Sequence, residues 1–207
     1  MPKTNAMRRD ETQGDQPVQL GDRAIDNLQF IRETMERATS FTAVPGYGGM
    51  LMGVTALVAA YIASTQVFLV DSLGTWLVEA FLAFAIGLLA MWQKSKITGG
   101  SLVSAPARKF AMSFAPPLIV GFVIVIGLWR YGHYYEMAPV CMLAYGAAVV
   151  CGGAFSVRVV PVMGWCFMAL GALAFALPTN YSNLMMALSF GVLHIIFGAI
   201  IARRYGG

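Results

Sequence analysis

Residues 46–70, GYGGMLMGVTALVAAYIASTQVFLV, carry no charged side chain over 25 positions. An α-helix needs about 20 mainly apolar residues to cross the hydrocarbon core of a bilayer, and only a structure that pairs its own backbone polar groups is stable there. Two further uncharged stretches of similar length follow, at residues 110–129 and 137–157. Together these stretches predict an all-α membrane protein.

The composition of the 207-residue chain indicates the same class. Hydrophobic residues make up 58% of the chain and charged residues 12%, against roughly 45–50% and about 25% in soluble domains. The net charge is +4, but the basic residues stand singly or in pairs at predicted helix ends rather than in the patch that nucleic-acid binding requires. We therefore expect the lipid bilayer, and no nucleic acid, as the surrounding partner.

Six transmembrane helices with short loops account for nearly all of residues 45–207. Turn-forming residues or charges separate the apolar stretches, as in residues 178–183, PTNYSN, before the last one. The predicted spans are about 47–64, 73–92, 111–129, 137–155, 160–177 and 184–201. Prolines near the odd spans and basic residues after the even spans fit three tandem αα-hairpins, and a shared topology alone also explains them.

The first 44 residues have a different character. Residues 1–21 are polar and predict a disordered leader. Residues 22–44 predict an amphipathic juxtamembrane helix, with Leu28, Ile31 and Met35 on one face. Its polar face lacks the strong basic bias of a helix that binds anionic lipid. We therefore expect the apolar face to pack on the protein's own surface or on a protein partner.

The distribution of basic residues predicts an orientation. Of the 14 Lys and Arg residues, only Arg130 lies on the side opposite the leader, the loops after spans two and four, and the C-terminal tail. The positive-inside rule then places both termini in the cytoplasm. We expect the protein to be integral to the inner (plasma) membrane of a bacterium.

Two ionisable residues lie inside predicted spans, where such residues are functional candidates because their burial in lipid is costly. Glu79 lies in the outer third of span two, and His194 lies near the middle of span six. If both face one cavity, they are candidates for a ligand or proton pathway. The alternative is that Glu79 is hydrated near the surface and His194 bonds a neighbouring carbonyl.

The loop at residues 130–136, RYGHYYE, combines aromatic and ionisable side chains. His133 and Glu136 stand three residues apart there, as in a fragment of a metal site. A metal site needs three or four ligands, so we expect no metal and no cofactor. Tyrosines at this position are typical of the aromatic belt at a membrane boundary.

The sequence contains no catalytic signature such as G-x-S-x-G or H-E-x-x-H, so we expect no enzymatic activity. The favoured hypothesis is a regulatory, sensory or assembly component that acts through helix packing and partner contact. The alternative is a small permease or channel-like transporter of a small solute or protons. The GxxxG motif Gly49–Gly53 predicts close helix packing within the chain, or else a homo-oligomer interface.

Overall fold

The computed structural model describes residues 25–28, 31, 41–97 and 103–206. The leader predicted at residues 1–21 lies outside this set. Within the predicted amphipathic segment, residues 25–28 and 31 are helical. Residues 41–97 and 103–206 belong to one compact unit, and residues 25–28 and 31 belong to another.

Each of the six predicted spans is a helix, which confirms an all-α bundle of the membrane type. The helices are α1 (Gly46–Thr65), α2 (Leu69–Ile97), α3 (Ala105–Tyr131), α4 (Met137–Gly153), α5 (Val159–Ala176) and α6 (Thr179–Tyr205). Five of them are long and apolar enough to cross a membrane, and α4 is apolar with 17 residues. That length is at the lower end of the range of about 17–25 residues for a transmembrane helix.

The long helices α2 and α3 extend beyond their predicted spans into the charged sequence. Lys94 lies in the last turns of α2, where a positive charge is favoured by the helix dipole. The first turn of α3 is capped by Ser104, whose hydroxyl accepts a hydrogen bond from the Ala107 N–H at 3.4 Å. Gly132 ends α3 with a φ of 79°, a left-handed conformation that glycine adopts without strain.

The last helix is not uniformly α-helical. Its turn at Thr179–Tyr181 is a 3₁₀ helix, and Ala187–Leu193 is a π-helix between the α-helical segments Ser182–Met186 and His194–Tyr205. Segments of π-helix are rare and frequently lie at functional sites. Here the π-helix ends directly before His194.

The helices pack in the order α3–α4–α5–α6–α1–α2, so that α2 and α3 stand at the two ends of the series. Only 6% of the apolar part of α2 and of α3 is buried, against 44% of that of α6. The predicted hairpins α1–α2 and α3–α4 do pack together. However, α5 packs mainly on α4 and α6 mainly on α1, so the main contacts cross the predicted hairpin boundaries.

Glycines allow close contact in the two helix pairs α1–α6 and α4–α5. A Cβ atom built on Gly53 of α1 would lie 2.6 Å from the carbonyl oxygen of Gly191 in α6. A Cβ atom on Gly146 of α4 would likewise lie 2.7 Å from the carbonyl oxygen of Gly164 in α5. Small residues allow this approach where lipid supplies no hydrophobic drive for association. The GxxxG motif thus serves helix packing within the chain.

Residues 41–45, which we call the strap, cross the end of the bundle where the basic loops lie (the basic end). The Phe41 N–H donates to the Phe155 carbonyl at 2.7 Å, and the Ser156 hydroxyl donates to the Phe41 carbonyl at 2.7 Å. Lys94 donates from Nζ to the Val44 carbonyl at 2.9 Å. The strap is extended, so the helix predicted for residues 22–44 does not include its last four positions.

Candidate functional site

His194 lies at the centre of a buried polar and aromatic site. Its Nε2 atom is 2.8 Å from the hydroxyl oxygen of Tyr145, which joins α6 to α4. Its Nδ1 atom has no hydrogen-bond partner among the described residues. The carbonyls of Ser189 and Phe190 lie beside the ring but outside hydrogen-bond geometry with Nδ1. This site has one polar bond and one unsatisfied polar atom.

Aromatic rings enclose this pair. The centroid of the His194 ring lies 5.3 Å from that of Phe167 and 6.2 Å from that of Phe190. Phe167 is fully buried. The fully buried Ser189 donates its hydroxyl to the Met185 carbonyl of its own helix at 2.9 Å. The surroundings of His194 are therefore apolar and closely packed on the α4, α5 and α6 sides.

Glu79 lies in a second polar pair on another helix interface. Its Oε1 atom accepts a hydrogen bond from the Thr55 hydroxyl at 2.8 Å, which joins α2 to α1. The Thr55 hydroxyl is also 2.9 Å from the carbonyl oxygen of Met52. Although α2 is largely exposed, only 6% of the Glu79 surface is accessible. Glu79 therefore faces α1.

The two predicted pathway candidates lie at different helix interfaces. Glu79 belongs to the α1–α2 interface and His194 to the centre of α4, α5 and α6. The two side chains have no hydrogen-bond partner in common among the residues that the structure describes.

The two candidates in the loop before α4 are close to each other and exposed. His133 Nδ1 lies 3.7 Å from Glu136 Oε1, and the two side chains are 61% and 45% accessible. Within the described part of the chain, no group of three or more His, Cys, Asp or Glu residues is arranged to hold a metal ion. The loop thus presents one solvent-accessible ionisable pair.

Sequence reasoning missed the partners of both buried residues and a third polar group. Tyr145 and Thr55 are separated from His194 and Glu79 by 49 and 24 positions. At the end of the bundle opposite the basic end (the loop end), the Trp76 indole N–H donates to Asn183 Oδ1 at 3.0 Å. The only sequence signal for these partners was a hydroxyl or indole group within an uncharged span. Such groups are common, and many of them lie at the lipid boundary without a protein partner.

A cleft of about 450 Å³ opens at the loop end between α1 and α6. Four apolar and four polar residues line it: Leu57, Ala60, Leu184 and Ala187, and Tyr61, Ser64, Asn180 and Asn183. None of the lining residues is charged. The cleft therefore has an uncharged polar rim toward the loop end, at Ser64, Asn180 and Asn183, and is apolar further along the helices, at Leu57 and Ala187.

Comparison with known proteins finds no family model that matches the chain, and no similar curated protein or solved structure. The class of the protein rests on its own features, namely six apolar helices, glycine-mediated packing and enclosed polar pairs. These define a helical bundle of the membrane type.

Proposed function

We propose that the protein is a multi-pass integral membrane protein without enzymatic activity, acting as a regulatory, sensory or assembly component through helix packing and partner contact. The observation that supports this most is that both ionisable groups in the spans are buried and hydrogen-bonded to another helix. Glu79 is held by Thr55 of the neighbouring helix, and His194 by Tyr145. A transport route would need these groups to face one polar passage.

A row of aromatic rings extends from the strap to the His194 site. Ring centroids are 4.9 Å apart between Phe41 and Phe110, and 5.5 Å between Phe110 and Phe114. Phe114 lies 6.3 Å from Tyr145, the partner of His194. Packed side chains of this kind are a physical route for energetic coupling between distant sites. The row therefore supports a role in which the N-terminal segment and the bundle interior act together.

The N-terminal helical residues offer the contact surface in this proposal. Ile25, Leu28 and Ile31 are 56%, 65% and 52% exposed. Apolar side chains grouped on one exposed surface mark a contact with a protein or a membrane. We assign this surface to a cytoplasmic protein partner, with both termini on the cytoplasmic side of a bacterial inner membrane.

Site-specific photo-crosslinking in intact cells tests the partner contact. A benzophenone amino acid replaces Leu28 or Ile31, and the matched control carries it at Asp26. All three positions are helical and exposed, and Asp26 lies on the opposite side of the helix from the other two. We expect the same protein adduct from Leu28 and Ile31 and a much weaker one from Asp26, because benzophenone reacts only within contact distance.

The substitution Leu28→Asp should then remove the adduct formed from position 31. Equal adducts at all three positions, or none at any, would contradict the proposal. Membrane fractions must contain the full-length protein in every case, so that lost insertion is not mistaken for lost contact.

A further inference from the structure

The cleft between α1 and α6 lies next to a close contact of the two helices. Gly53 and Gly191 bring the two backbones together, and the Leu57 side chain lies directly over Gly191, 2.5 Å from the position of an added Cβ atom. The π-helix begins at Ala187, in the wall of the cleft.

The lining combines two chemical environments. Leu57 and Ala187 lie further along the helices from the loop end, whereas the rim residues Ser64, Asn180 and Asn183 lie next to it. The volume, about 450 Å³, falls in the range of about 300–1,000 Å³ that is typical of ligand pockets. An occupant must therefore be amphipathic, with its polar part toward the loop end.

The orientation of the Asn183 amide decides which polar group the occupant presents. An indole nitrogen is a donor only, so the amide oxygen must face Trp76, at an Nε1–Oδ1 distance of 3.0 Å. The Ser72 hydroxyl lies on the same oxygen at 3.5 Å. The amide NH₂ group therefore points away from the indole, and Asn183 itself lines the cleft.

We propose that this cleft binds one glycerophospholipid. Its ester or phosphate oxygens accept hydrogen bonds from the Asn183 amide, and one acyl chain lies along Leu57 and Leu184. The position at the end of two spans matches the depth at which lipid esters lie. Since the lining holds no charged side chain, the site binds phospholipids irrespective of headgroup charge. The inference rests on the membrane insertion in the proposed function.

Native mass spectrometry of the purified, delipidated protein measures this binding, with palmitoyl-oleoyl phosphatidylethanolamine and phosphatidylglycerol as the probes. The wild type should bind one copy of either lipid with similar affinity. Ser64→Trp fills the rim and should weaken binding by at least about tenfold. Thr65→Trp is the matched control, because Ser64 and Thr65 are both exposed and each donates to the carbonyl three residues earlier, at 2.7 Å and 2.8 Å.

A second variant tests the amide itself. Asn183→Asp keeps an oxygen for Trp76 but replaces the NH₂ donor with a second oxygen, so both lipids should bind less well and the anionic one least. Circular dichroism and gel filtration verify the fold of each variant. Unchanged binding in both Ser64→Trp and Asn183→Asp, or equal loss in Thr65→Trp, would overturn the proposal. A wild type found in membranes that retains no lipid refutes the cleft site alone, whereas a wild type absent from membranes refutes the proposed function.

Discussion

The two polar pairs of the bundle have hydrogen bonds of the same length and very different surroundings. Tyr145–His194 and Thr55–Glu79 both measure 2.8 Å. The first pair is enclosed by the aromatic rings of the bundle centre, whereas the second joins α1 to the largely exposed α2. The contribution of a hydrogen bond to stability depends on the cost of leaving its partner unpaired, and this cost is highest where water cannot reach the partner. Enclosure, rather than bond length, should therefore decide how much each pair stabilises the fold.

The largest effect is expected for His194→Ala. The substitution leaves a cavity among closely packed rings and an unpaired Tyr145 hydroxyl, which together should cost about 3 kcal/mol. Unfolding by sodium dodecyl sulfate, followed by circular dichroism, measures this change in purified protein. Ile196→Ala, at a 48% exposed position of the same helix, is the control and should cost much less. A smaller loss for His194→Ala than for Glu79→Ala would reverse the comparison.

Tyr145→Phe should have an intermediate effect, because it removes only the hydroxyl and keeps the ring packing. Hydrogen bonds between membrane helices average about 0.6 kcal/mol with a maximum of about 1.7, and we expect about 1 kcal/mol here. The same substitution in the His194→Ala background should be neutral or stabilising, since it removes a hydroxyl that has already lost its partner. Additive losses in this double-mutant cycle would show that the 2.8 Å contact contributes no coupling energy.

The smallest effect is expected for Glu79→Gln. The amide oxygen of glutamine still accepts the Thr55 hydrogen bond, so the free energy of unfolding should change by no more than about 0.5 kcal/mol. Proton flux into proteoliposomes, followed with a pH-sensitive dye, should be the same for wild type, variant and protein-free vesicles. A flux in the wild type that Glu79→Gln abolishes would favour the transport alternative over the proposed function.

Some of the candidate site was predictable from the sequence, and some was not. Glu79 and His194 were identified because an ionisable residue within an apolar span is visible in the chain itself. Their partners were not, because Thr55 and Tyr145 lie 24 and 49 positions away and only helix packing brings them close. The Asn183 amide gained its orientation in the same way, from an indole 107 positions distant.

The strap shows a local pattern that tertiary contacts override. The apolar spacing of residues 22–44 predicts one helix, yet residues 41–44 are extended. Phe41 is buried against Phe110, and its backbone N–H and carbonyl are both bonded to residues 155 and 156. These contacts replace the hydrogen bonds that a helix would have supplied. The local sequence does not predict them, because the partner residues lie more than 60 positions away along the chain.

The sequence by itself determined the presence and the order along the chain of the six apolar helices, although α2 and α3 extend beyond their predicted spans. The reason is local: the cost of placing backbone and charge in an apolar medium depends on the length of each uncharged stretch. Only the tertiary structure decided the helix order, the enclosure of His194, the π-helix and the cleft. Those features depend on which glycine-containing helix faces meet, and each of the six helices contains glycines. Close contact between two particular helices is a property of the whole bundle rather than of either stretch alone.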